Sequence, residues 1–294
     1  IYQAYREETI VLLTENPYRL IEDVEGIGFG RADELGAKLG ITGNHPDRIK
    51  AAILHVLTHA ALSEGHVYMD AEHVLPHVKD MLEQSQRVEI PYESISKACI
   101  EMREESKICG EETRLYLPSL YFSEVGIASK ILDLVKENKK HHHFSKDEIR
   151  KAIGEVEESY NVTYAPTQAQ AIETALNSAV MILTGGPGTG KTTVIKGLVE
   201  VYAELHGLSL DPKYYAQKEE PFPIVLAAPT GRAAKRLAES TELPAMTIHR
   251  LLGFTGQTKE EEIDREIDGK LVIIDEMSMV DTWLAHQLLK SLNP

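Results

Sequence analysis

The chain has 294 residues, 43% apolar and 26% charged, which suits two or three folded domains rather than a disordered or fibrous chain. Its longest apolar runs are strand-sized against the ~18 residues a membrane span needs, and with two cysteines, Cys99 and Cys109, there is no disulfide framework; no leader segment stands out, and a reducing cytoplasm without membrane association is expected. The formal net charge of −15 excludes a uniformly basic nucleic-acid binder, so any such contact has to rest on local cations and backbone amides.

Three regions differ in texture: 1–45, 46–145 and 146–294. In the first, Asn16-Pro17-Tyr18 precedes a short amphipathic stretch, Leu20 to Val24. Gly26-Ile27-Gly28-Phe29-Gly30 then leads into a helix predicted over Arg31 to Leu39. A Gly-apolar-Gly turn between two short helices resembles the helix-hairpin-helix motif. Its glycines let backbone N–H groups approach a DNA phosphate from a helix N-terminus. Gly26, Gly28, Gly30 and Arg31 are the candidate DNA contacts, and Ala32 is small enough for close helix packing. An ordinary glycine turn is the alternative.

In the second region, apolar residues recur with a helical period over 49–62 and 74–82, and a further helix is predicted over 95–105. Residues 107–117, turning at Gly110 to Thr113, read as a β-hairpin, and 123–136 as a helix. The order fits a winged-helix-like domain as well as it fits a helical spacer. His141-His142-His143 has no carboxylate or cysteine at ligand spacing and reads as a polar linker.

The third region carries the chemistry. Pro166-Thr167-Gln168 comes first: the Gln168 amide both donates and accepts and so suits adenine, while Thr167 suits a helix N-cap. A strand predicted over Ala179 to Thr184 runs into Gly185-Gly186-Pro187-Gly188-Thr189-Gly190-Lys191-Thr192, and a helix follows over Thr193 to Leu205. This is the full strand, G-x-x-x-x-G-K-[ST], helix pattern of a phosphate-binding loop. The glycines let N–H groups wrap an anion, the helix N-terminus adds its dipole, Lys191 reaches the β- and γ-phosphates, and Thr192 offers a hydroxyl to Mg2+. The long loop 207–223, with Tyr214-Tyr215, reads as a surface insertion. Strand Ile224 to Ala228 leads to Pro229-Thr230-Gly231-Arg232, at the kind of strand-to-helix edge where open α/β sheets bind ligands. An acidic, solvent-facing loop is expected over Thr258 to Asp268. Leu271 to Ile274 is a buried strand ending in Asp275, a second Mg2+ ligand, and Glu276, placed to orient or deprotonate water.

The segments Pro166 to Gln168, Gly185 to Thr193, Ala228 to Ala234, Thr247 to Arg250 and Asp275 to Asp281 together closely resemble RecD/TraA-type helicases of superfamily 1. That resemblance covers 160–294, and the glycine hairpin looks like the N-terminal part of stand-alone RecD-like proteins. It implies an α/β fold: an incomplete RecA-like P-loop NTPase domain behind mostly helical helix-hairpin-helix and winged-helix-like domains. It implies ATP and Mg2+ as cofactors, with Gln168 on adenine, Gly186 through Thr193 around the phosphates, Thr192 and Asp275 on the metal, and Lys191, Asp275 and Glu276 in catalysis. Thr230, Arg232 and His249 would face single-stranded DNA, with DNA junctions as a further partner, in repair or recombination. Family members move 5′ to 3′. Their next motif, Gly-Asp-x-x-Gln-Leu, does not follow before Pro294, so the expectation is a clipped helicase piece that binds nucleotide without unwinding. The other readings are a DNA-binding module with ATP as regulatory ligand, and a different P-loop enzyme, for which neither a kinase lid nor a transporter signature is found.

Overall fold

Asn16 starts the first described element by accepting the Tyr18 N–H at 3.0 Å, ahead of a 3-10 turn, Pro17–Arg19, with proline where its fixed φ suits a helix start. The computed structural model describes residues 15–24, 27–138, 143–186, 188–254 and 265–293. The chain divides into two compact units, Ile1–Glu124 and Val125–Pro294.

In the first unit, α1 (Leu20–Asp23) and α2 (Phe29–Lys38) flank the glycine turn. α2 begins two residues before its predicted start because extended Gly28 serves as its N-cap. α3 (Pro46–His59) continues as a π-helical turn, Ala60–Glu64, that stops at Gly65, whose φ of 74° is left-handed. Then come β1 (Tyr68–Asp70), α4 (Ala71–Gln86), α5 (Tyr92–Glu104), β2 (Cys109–Glu111) and β3 (Arg114–Tyr116). β2 and β3 form the predicted hairpin, and β1 pairs antiparallel with β3 to give the order β1-β3-β2. At three residues, β1 is too short to show alternation in the sequence. The chain thus runs helix, strand, helix, helix, hairpin, with the first strand laid on the hairpin.

Tyr18, Phe29 and Ala32 join Ile49, Ile53, Val78, Leu82, Ile95, Met102 and Leu115 in one apolar cluster, so the glycine-rich region and the helices after it share a core. Within it lies an ion pair with both side chains fully buried: Arg48 Nε and Nη2 donate to Asp33 at 2.7 and 2.9 Å. Arg48 also donates to the carbonyls of Gly43 and Leu82, and Tyr18 and Ser85 donate to Asp33. Every polar atom of the pair is thereby satisfied, which burial of charge requires.

α6 (Pro118–Asn138) crosses the division between the units. In the second unit, α7 (Lys146–Tyr160) opens with a Ser145–Glu148 capping box, and α8 (Pro166–Leu176) follows. α9 (Lys191–His206) packs against both. The predicted surface insertion contains a short helix, α10 (Pro212–Lys218), capped by Asp211. Next are β4 (Ile224–Ala228), α11 (Gly231–Thr241), β5 (Ala245–Thr247), α12 (Ile248–Leu251), β6 (Leu271–Ile274) and α13 (Thr282–Lys290). The strands form a parallel sheet in the order β5-β4-β6, with Ile224, Leu226, Ala227 and Ala228 of the central strand buried.

The strand predicted over Ala179 to Thr184 does not form. The segment makes no ladder, Ile182 is 84% exposed, and β6 is left as an edge strand among the described residues. A four-residue apolar run becomes a strand only where a neighbour supplies ladder bonds and something covers its face, and Ile182 is uncovered. Of the acidic loop expected over Thr258 to Asp268, residues 258–264 lie outside the described residues, as do His141 and His142, and the described end is not wholly solvent-facing, since Ile267 is buried and bridged to Leu292. No described helix is long and apolar enough to cross a membrane.

Candidate functional site

The site is built on the N-terminus of α9. Gly190 is its N-cap at φ 83°, and Gly188 sits at φ 72°, left-handed values at which a side chain would be strained. Between them and Gly185 the loop curls back on itself. Lys191 Nζ donates to the carbonyls of Gly185 at 2.5 Å and Gly186 at 3.1 Å, and Thr189 Oγ1 donates to Gly186 O at 2.8 Å. Those carbonyl oxygens satisfy the ammonium from within its own loop. Among the described residues Lys191 forms no ion pair, and Thr192 and Thr193 are exposed. Pro187 lies outside the described residues.

Three parallel strands deliver the other candidates to one edge of the sheet. β4 ends before Thr230, which caps α11 by accepting the Ala233 N–H at 3.2 Å. β5 ends at Thr247, which caps α12 and puts His249 on the surface. β6 ends before Asp275, held at the end of β4 by its N–H to Ala227 O at 2.9 Å. The half-buried Asp275 carboxylate accepts the Glu276 N–H at 2.9 Å. Exposed Glu276 is left-handed at φ 56°, a strained backbone for a residue with a Cβ, where the chain turns into the 3-10 segment Met277–Met279. Nothing in the sequence announced that conformation. Arg232, Lys235 and Arg236 are exposed on α11 and form a cationic face beside Thr230. The His249 ring lies 5.6 Å from Phe254, and Phe254 lies 5.6 Å from Trp283, two aromatics that the sequence did not single out.

Gln168 lies on α8, half-buried. The helix starts at Pro166 with Ala165 as N-cap, not at the expected Thr167, and the Gln168 Oε1 accepts the Ala165 N–H at 2.9 Å. Just before it, buried Tyr164 turns its hydroxyl toward Glu200 of α9 at 3.5 Å. Burial and the Glu200 carboxylate push the Tyr164 phenol up to about 12, and burial likewise raises the Glu200 carboxyl.

In the first unit, Gly28 and Gly30 are exposed, with open space where a Cβ would stand, so the N-terminus of α2 is accessible. Arg31 is exposed one residue further on, and Ala32 is fully buried. Gly26 lies outside the described residues.

Comparison with known proteins matches residues 1–68 to the HHH domain of ATP-dependent RecD2 DNA helicases and residues 168–294 to an AAA domain. The ATP-dependent RecD2 DNA helicase of Deinococcus radiodurans is 29% identical over 292 residues, covering 93% of this chain and 36% of that protein. The RecBCD enzyme subunit RecD of Mycobacterium tuberculosis is 36% identical over 144 residues, covering 43% of this chain and 24% of that one. An uncharacterized protein of Methanocaldococcus jannaschii is 28% identical over 358 residues, covering 98% of this chain and 27% of that protein. The chain thus spans 36% or less of the length of these relatives.

Proposed function

The chain is RecD-like, and from that premise we propose that it carries the ATP-binding half of a motor that moves 5′ to 3′ on single-stranded DNA, with a helix-hairpin-helix region over 1–45, a winged-helix-like domain over 46–145 and the motor domain over 146–294. The observation that carries this reading is Lys191, curled onto the carbonyls of Gly185 and Gly186 at the N-terminus of a 16-residue helix. An ammonium satisfied by its own loop exchanges those carbonyls for phosphate oxygens without rearranging the helix. In this reading the residues from Gly186 through Thr193 hold the phosphates, and Gln168 faces the adenine. Thr192 and Asp275 hold Mg2+, which when bound neutralises phosphate charge. Glu276 orients the water. Thr230, Arg232 and His249 meet the DNA strand, and Gly26, Gly28, Gly30 and Arg31 meet duplex or junction phosphates.

Lys191 is the one cation among the proposed phosphate-holding residues. A second cation delivered across the cleft contributes ~10³ or more to phosphoryl transfer. Residues 1–294 are therefore proposed to bind nucleotide, turn it over slowly and not separate strands. The test is binding of a fluorescent ATP analogue and ATP hydrolysis, each with and without single-stranded DNA, beside Lys191→Ala. Loss of the charged hydrogen bonds is expected to weaken binding roughly 10- to 100-fold. Unchanged binding would sink the reading, and fast DNA-stimulated turnover would sink the account of the second cation.

A further inference from the structure

We propose that the segment from Tyr164 to Gln168 is a brace that positions the phosphate-binding loop, with Tyr164 and Gln168 as positioning residues that govern phosphate affinity itself and not only the choice of base. The proposal rests on the reading of 185–193 as a phosphate cradle.

Two glycines of the loop and its helix are notches for this segment. A Cβ on Gly190, the left-handed N-cap of α9, would run into Gln168 Nε2. The glutamine amide is thus packed against the exit of the loop, one residue before Lys191. Seven positions further along α9, a Cβ on Gly197 would stand 2.7 Å from the Tyr164 Cζ and hydroxyl oxygen. Tyr164 is 7% exposed, its N–H donates to Glu157 of α7 at 2.7 Å, and its hydroxyl points at Glu200 of α9. The segment is therefore seated on α9 at two places and tied to α7 at a third.

The Gln168 side chain is fixed from its own side as well. Its Oε1 accepts the Ala165 N–H, which locks the rotamer and leaves Nε2 aimed at Gly190. A glutamine whose sole task is to read a base needs to reach the base and nothing else. This one has its acceptor engaged in capping α8 and its donor end against the loop. Displacing it lets α8 and the loop exit shift relative to one another, which takes the loop N–H groups out of line with the anion they would hold.

The experiment separates base from phosphate by using a ligand with no base. Calorimetric titration of the full chain with Mg2+ and inorganic tripolyphosphate, ATP or GTP compares the unmodified chain with Gln168→Ala, Gln168→Glu, Tyr164→Leu and Lys191→Ala. Gln168→Glu keeps the acceptor that caps Ala165, so its melting temperature serves as the check on folding. Expected are roughly tenfold weaker tripolyphosphate binding in Gln168→Ala, Gln168→Glu and Tyr164→Leu, a like loss for GTP, and for ATP a loss at least as large, greater in the two Gln168 variants, which also lose the adenine contact. Tripolyphosphate affinity unchanged in Gln168→Ala and Gln168→Glu, with only the preference for ATP over GTP lost, overturns the brace and leaves a base reader. Tripolyphosphate affinity unchanged in Lys191→Ala overturns the cradle itself, and the brace with it.

Discussion

Asp33 shows how much one residue can carry. Burial alone would raise its carboxyl, but hydrogen bonds from Arg48, Ser85 and Tyr18 outweigh burial and hold it below the usual carboxylate range. The depressed value belongs to the folded state, so its contribution is present above the unfolded carboxyl's ~3.9 and is lost as pH falls through the folded value. Asp33→Ala leaves Arg48 charged, buried and short of its main partner, and is expected to cost about 3–5 kcal/mol by urea unfolding at neutral pH. It should also flatten the acid limb of stability below about pH 4. A double change, Asp33→Leu with Arg48→Met, should cost much less, because a pair replaced by apolar side chains leaves no stranded charge. A double variant as unstable as the single one would mean that shape and not charge sets the cost.

At the scale of elements, the sequence was most legible where local chemistry and long-range partners agree. Ile224 to Ala228 and Leu271 to Ile274 form strands over the predicted spans, because each is an apolar run with a neighbour in the parallel sheet. Val180 to Leu183 has the same character and is no strand, since strand potential without a ladder partner is only potential. β1 escaped notice for the opposite reason: Tyr68 to Asp70 carries little pattern and is a strand because Tyr116, Leu115 and Arg114 lie opposite. The candidate site residues were legible as types, Gly-Lys-Thr and Asp-Glu, while their conformations were not. The capping bond of Gln168, the left-handed Glu276 and the fit of Tyr164 on Gly197 all depend on atoms brought in from elsewhere in the chain. The exposed cations of α11 form another element-scale feature, since they concentrate positive charge on a protein of net charge −15. If that face meets a single strand, Arg232→Ala should lower the slope of log affinity against log salt by about 0.7, the share of one phosphate contact. Fluorescence anisotropy across a salt series reads that slope, and an unchanged slope removes Arg232 from the interface.

On the scale of the whole molecule, each unit has its own core: one around Ile53, Leu82 and Met102, the others around Ile172 and Val201 and around Ala227 and Leu288. Scanning calorimetry is expected to show two transitions. Tripolyphosphate should raise the one belonging to Val125–Pro294, by about 2.7 kcal/mol at a hundred times its dissociation constant. Asp33→Ala should lower the other alone. A single transition moved by both perturbations would show the two units unfolding as one.

One edge of β6 is unpaired among the described residues, and its consequence reaches beyond the fold of one molecule. The N–H and C=O groups that Leu271 to Ile274 turn away from β4 meet no ladder partner among the described residues, and they offer a template to an extended segment. Colloidal behaviour thereby becomes part of this chain's chemistry. A segment that pairs there would gain ladder bonds the lone molecule lacks, so whatever covers that edge acts as a solubilising cap.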